Sequence, residues 1–159
     1  METPSKLPAI VKVNLQQANA IFQEYTHEPV LNYETAAKVS ARLGITGTES
    51  KCLFAKTKSN RYFMLVTTQE TRADWKALKQ LTGESLSMCS GDELLSVTGY
   101  VPGCAGPFAL PASVIVIADS KIFTLEKYVF SGGIPEITLV ISGADLKKAI
   151  DIIPRHLIL

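Results

Sequence analysis

The stretch KCLFAKTKSNRYFMLVTT, residues 51–68, decides the architecture. Two apolar, β-rich runs, Lys51 to Ala55 and Arg61 to Thr68, flank the polar segment KTKSN, whose residues suit a tight reversal, so the spacing predicts an antiparallel hairpin. Moving toward the C-terminus, TRAD at 71–74 predicts a helix start. Trp75, Leu78 and Leu81 form its apolar face, and Gly83 closes it. A short strand is expected near Leu86 to Cys89. Ser90-Gly-Asp-Glu93 then has capping-box spacing and opens a brief helix through Leu94, Leu95 and Val97. Further strands are expected at Ser113 to Ala118, around Lys121 to Leu125, around Tyr128 to Phe130 and at Glu136 to Ile141. Ser142-Gly-Ala-Asp145 opens a last helix. Toward the N-terminus, Glu34 to Leu43 forms a helix ended by Gly44. The segment THEPVLNY before it reads as a loop or short extended piece. Leu15, Ala18, Ile21, Phe22 and Tyr25 keep helical spacing, which predicts one more helix from Asn14. Helices at both ends of a run of about six or seven strands give an α+β fold with a mixed, mostly antiparallel sheet flanked by helices.

Composition narrows the function classes. At 159 residues, 47% apolar and 19% charged, the chain is sized for one hydrophobic core, so a single domain over residues 1–159 is expected. No apolar run approaches the roughly 18 to 20 residues that span a bilayer, so no membrane association is expected. The N-terminus lacks the basic-then-apolar layout of a signal peptide. Cys52, Cys89 and Cys104 form no C-x-x-C pair and suit free thiols in a reducing compartment, the cytoplasm. A formal charge of +1 provides no whole-molecule field toward nucleic acid. Any RNA contact must come from a local patch, for which the window Lys51, Lys56, Lys58, Arg61 is the candidate. The same lysines would equally protect a solvated hairpin edge.

Several chemistries lack their residues. The histidines are His27 and His156, neither in H-x-x-x-H nor near a cysteine pair, so no metal site is expected. There is no G-x-S-x-G elbow, no P-loop and no G-x-G-x-x-G after a strand, and no cofactor is expected. The unusual segment is Thr98 to Pro111, TGYVPGCAGPFALP, with three glycines and three prolines in fourteen residues. Such a loop either joins helix to strand or aims several backbone N–H groups at one oxyanion or phosphate. Lys51, at the head of the first hairpin strand, either points its ammonium into a cleft or reaches to solvent.

Two segments together, ESKCLFA at 49–55 and TGYVPGCAGPFAL at 98–110, resemble the lysine-plus-glycine-loop signature of the YbaK/prolyl-tRNA synthetase insertion-domain family. The similarity runs from about Asn14 to Ile150. The resemblance implies trans-editing: hydrolysis of the ester of mischarged tRNA, usually tRNA for proline carrying a small amino acid. It implies Lys51, Gly103 and Gly106 as the catalytic set, with Gly99, Cys104, Ala105, Pro107, Phe108 and Asp119 binding substrate. The partner implied is the acceptor end of the mischarged tRNA, with an aminoacyl-tRNA synthetase as a further partner; the oligomeric state is left open. The family's G-x-x-x-P loop, here Gly103 to Pro107, is thought to position the terminal adenosine and the ester carbonyl. The tRNA's own ribose hydroxyl is proposed to help activate water. Two departures bear on substrate choice: Ala109 stands where the family commonly has glycine, and the segment Ser131 to Thr138 lacks a histidine that some members carry. Rival readings are a Cys104 nucleophile and a non-catalytic module that binds tRNA or a small ligand in the same pocket.

Overall fold

The computed structural model describes residues 6–159. Its strands are β1 (Phe22–Thr26), β2 (Thr48–Lys56), β3 (Tyr62–Thr68), β4 (Ser87–Met88), β5 (Val114–Ala118), β6 (Tyr128–Ser131), β7 (Ile137–Ile141) and β8 (His156–Ile158). The helices are α1 (Leu7–Gln17), α2 (Tyr33–Leu43), α3 (Trp75–Thr82), α4 (Gly91–Thr98) and α5 (Gly143–Asp151), with a 3₁₀ turn at Ser120–Thr124. The strand order is β1-β7-β6-β2-β3-β5-β8, with β4 paired to β2. Four of the seven pairings are antiparallel; β2 with β6, β3 with β5 and β5 with β8 are parallel. The α+β class and mixed, mainly antiparallel sheet therefore agree with the sequence reading.

The sheet has eight strands rather than six or seven, and the differences have local causes. The helical spacing from Leu15 to Tyr25 is interrupted at Asn19. That residue adopts φ 56° and forms a Schellman end, with Asn19 N–H on the Gln16 carbonyl and Ala20 N–H on the Leu15 carbonyl. Phe22 onward is then free to extend and pair with β7. The segment Lys121 to Leu125 is not a strand. The Asp119 side chain accepts from Lys121 N–H at 3.2 Å and winds the next five residues into the 3₁₀ turn. At the C-terminus, β8 pairs with β5 and sets Leu157 against the small core under α3.

The caps at Ser90, Ser142, Gly44 and Gly83 are those the sequence signals, and Asn32, Asp74 and Gly99 are added by the structure. Asn32, Asp74, Ser90 and Ser142 each accept an N–H from the first turn, and Gly44, Gly83 and Gly99 end helices in the left-handed conformation. The larger core joins α1, α4 and α5 to one sheet face through Leu7, Leu15, Phe54, Met64, Phe130 and Leu139. On the opposite face, Phe63, Leu65 and Ile117 pack with Leu78 of α3, while Val129 and Val140 pack with Ile45 behind α2.

One irregularity positions the site. Strand β2 pairs with β6 only at Thr48 and Glu49, and with β4 only at Ala55 and Lys56. Between those contacts β2 stays on β3 while β6 turns away, so the sheet forks.

Candidate active site in the sheet fork

A cavity of about 540 Å³ fills the fork. Its walls are residues Glu49 to Cys52 of β2, α2 with Tyr33, β6 and β7 at Phe130 and Thr138, and the turn at Pro102 and Gly103. Strand geometry determines what β2 presents there. Thr48 N–H bonds the Lys127 carbonyl, the Ser50 carbonyl accepts from the Tyr33 hydroxyl at 2.9 Å, and the Phe54 carbonyl accepts Cys89 N–H. The even-numbered residues of β2 therefore turn their peptide groups away from β3. By the same alternation the N–H and C=O of Cys52 face the gap where β6 has left.

The glycine loop supplies the facing wall. Val101-Pro-Gly-Cys104 is a β-turn with Pro102 second, Gly103 third at φ 89°, and Cys104 N–H on the Val101 carbonyl at 3.1 Å. This is the type II arrangement, which needs positive φ at its third residue. The turn is held from behind. Tyr100 is buried and its hydroxyl donates to the Phe108 carbonyl at 2.6 Å, while Pro102 lies against Gly91, where a Cβ would approach its ring to 2.8 Å. Gly103 and Ala105 reach the cavity, and their N–H groups have no acceptor among the described residues. Cys104, Gly106, Pro107 and Phe108 lie behind this surface and are buried. Gly99 is the left-handed cap of α4 and does not line the cavity.

Lys51 lines the cavity, but its ammonium donates to the Thr71 carbonyl in the turn that leads to α3. Asp119 does not line the cavity. Its carboxylate accepts from the Thr67 hydroxyl at 2.9 Å and caps the 3₁₀ turn. Half of the basic window is neutralised: Lys56 pairs with Glu93 at 2.9 Å and Arg61 with Glu84 at 3.2 Å. Cys104 is 1% exposed, and burial pushes its thiol up to about 11, so little thiolate forms near neutrality and a nucleophilic role is disfavoured. Cys52, also desolvated, is pushed up to about 12.

Two residues escaped the sequence reading. His27 reaches strand β7 from the loop after β1. Its Nε2 lies 2.7 Å from the Thr138 hydroxyl and its Nδ1 2.7 Å from the Glu28 carbonyl, so an imidazole stands beside the segment that lacks a histidine of its own. Glu49 lies in the cavity wall, two residues before Lys51, and burial raises its carboxyl above the usual range. The sequence held no signal for His27, and Glu49, although it opens the motif at 49–55, gains its place from where β6 leaves β2.

Residues 27–149 match the family of aminoacyl-tRNA editing domains, and that span contains the whole fork. The chain belongs to this family. It is accordingly an enzyme that acts on aminoacyl-tRNA, a hydrolase of the aminoacyl ester. The proline–tRNA ligase of Trichlorobacter lovleyi is 29% identical over 119 residues, 74% of this chain and 21% of the ligase, so the chain spans about a fifth of that relative. The multifunctional Ser/Thr-tRNA deacylase ProXp-y of Escherichia coli K12 is 26% identical over 136 residues, 82% of this chain and 80% of that protein. Among solved structures, a hypothetical protein superposes with a TM-score of 0.78 at 20% identity, covering 93% of this chain and 96% of its own. A proposed trans-editing enzyme for prolyl tRNA synthetase does so with 0.71 at 16%, covering 100% and 97%. These two likenesses show a shared fold.

Proposed function

We propose that the editing domain clears tRNA for proline of a wrongly attached small amino acid, acting in the cytoplasm as a single unit beside a synthetase. The observation that carries this reading is the fork cavity, lined by Cys52 of β2 and by Gly103 and Ala105, whose N–H groups have no acceptor among the described residues. The named activities of the ligase and deacylase relatives support the substrate class.

An aminoacyl ester is activated, so the site must mainly hold the carbonyl, admit one water and stabilise the tetrahedral oxyanion. The N–H groups of Gly103 and Ala105 suit the oxyanion, each good donor contributing about 3 kcal/mol to the barrier reduction. Gly106, buried behind them, does not line the cavity. Lys51 exchanges the Thr71 carbonyl for a substrate phosphate or ribose oxygen, a stronger charge-assisted contact. The cavity wall holds no imidazole among the described residues, which fits water activation by the tRNA's own ribose hydroxyl.

A panel of tRNAs mischarged with alanine, serine, threonine and cysteine, offered to wild type and Lys51→Ala, tests the reading. Wild type releases at least one amino acid, and Lys51→Ala slows that release about 10- to 100-fold. No release by wild type, or equal rates in the variant, would overturn it. Stable binding of charged tRNA without loss of the amino acid would instead identify a binding module.

A further inference from the structure

Among the described residues, Glu49 and Lys51 are the only charged ones in the cavity wall, and the proposed mechanism uses only the lysine. Strand alternation puts Glu49 on the sheet face of its register partner Val129, which packs with Ile45 behind α2. Among the described residues its carboxylate has neither a salt bridge nor a hydrogen bond. Lys51, the nearest cation along the strand, donates to the Thr71 carbonyl instead. The carboxylate lies close enough to Tyr33 for its charge to help raise that phenol, behind the larger effect of burial and that of Cys52. The Tyr33 hydroxyl is itself directed to the Ser50 carbonyl, so it does not satisfy Glu49.

An unpaired, partly desolvated carboxylate beside an open cavity is a site for a cation. The neighbouring wall is rich in acceptors as well. The Ser50 carbonyl has one donor among the described residues, and the Cys52 carbonyl faces the gap. If His27 carries its proton on Nδ1, toward the Glu28 carbonyl, then Thr138 donates to Nε2 and turns its lone pairs outward.

An aminoacyl ester brings one cation of its own, the α-ammonium next to the scissile carbonyl. We propose that Glu49 is the specificity-determining residue that receives this ammonium, so that the domain distinguishes esters with a free α-amine from N-acylated ones. This rests on the deacylase reading for the identity of the substrate. With the carbonyl at the Gly103–Ala105 donors, the ammonium is drawn toward Glu49 and the carbonyl is fixed from both sides. An N-acylated ester carries no charge there and leaves Glu49 unpaired.

The test separates binding from hydrolysis. Adenosine bearing alanine or serine through a 3′-amide cannot be hydrolysed as an ester and is available with a free or an N-acetylated amine. Affinities of both forms are measured by calorimetry for wild type, Glu49→Gln and Glu49→Asp, with thermal melts to verify folding. Deacylation of alanyl- or seryl-tRNA and its N-acetyl form is measured in parallel. Wild type is expected to prefer the free amine by about 10- to 100-fold, the scale of a hydrogen bond to a charged partner. Glu49→Gln brings that ratio close to one, and Glu49→Asp restores part of it. A ratio unchanged in Glu49→Gln, or a wild type that binds both forms equally, overturns the assignment. A wild type that keeps the preference but hydrolyses no ester upholds Glu49 and overturns the deacylase reading. Hydrolysis with no amine preference does the reverse.

Discussion

Ala109 shows how one residue can depart from a family pattern while the backbone keeps its path. It sits at φ 57°, in the left-handed region that glycine occupies without penalty, with its N–H on the Asn14 side chain at 2.9 Å. The alanine has thus adopted a conformation that suits the glycine it replaces, at a cost of about 1–2 kcal/mol for a residue with a Cβ. Ala109→Gly relieves that strain but loses a partly buried methyl and gives the unfolded chain more freedom. The expected net is a gain of about 0.5–1 kcal/mol, or a rise of a few degrees in melting temperature. Denaturant unfolding checks it, and a destabilised variant would mean that the methyl's packing outweighs the strain. The same contrast explains what was legible in the site. Lys51 and the Gly103 turn could be found because they lie in contiguous motifs. Glu49 and Cys52 lie in the same motif as Lys51, but their importance arises where β6 leaves β2, which no local pattern encodes.

The glycine loop works as one element, and its glycines are not equivalent. A Cβ on Gly103 would meet the Leu31 carbonyl oxygen at 3.1 Å in a turn that already requires positive φ. A Cβ on Gly106 would meet only the Tyr100 hydroxyl, at an ordinary 3.9 Å, and its φ lies outside the left-handed region. Gly103→Ala is therefore expected to cost about 1–2 kcal/mol in stability and to lower kcat/KM about tenfold or more by displacing the cavity wall. Gly106→Ala should leave stability unchanged or raise it by about 0.5 kcal/mol, with activity retained. Equal losses in the two variants would show that loop composition, rather than the turn at Gly103, carries the effect. At this scale the hairpin, the caps at Gly44, Gly83, Ser90 and Ser142, and four of the five helices were readable from apolar period and capping residues. The exceptions had rival local signals. Periodicity carried the first helix past Asn19 into β1, whereas the Schellman end stops it, and the Asp119 cap converts a β-rich segment into a 3₁₀ turn. The three-residue β8 is defined only by its pairing with β5.

At the scale of the whole molecule, charge pairing sets how the domain meets RNA. Among the described residues, eight of the sixteen Lys and Arg side chains are in ion pairs, including Lys56 and Arg61 of the hairpin, and the formal net charge is +1. Lys51 is the one base in the cavity wall among the described residues. With so few free cations near the site, the domain should engage about two or three phosphates of the acceptor end, and its affinity should fall about 10- to 40-fold between ~50 and ~200 mM salt. A phosphate-tracking protein with six to ten contacts would lose about 10³- to 10⁵-fold over the same range. Titrating kcat/KM or tRNA binding against potassium chloride distinguishes the two. Replacing Glu84 and Glu93 together by glutamine frees Arg61 and Lys56, so the double variant should bind tRNA more tightly at low salt and with a steeper slope. A steep slope in wild type, or no change in the double variant, would mean that RNA approaches over a face remote from the hairpin. If the predicted slopes hold, substrate choice is left mainly to the contacts inside the fork, where the ester, its amine and one lysine meet.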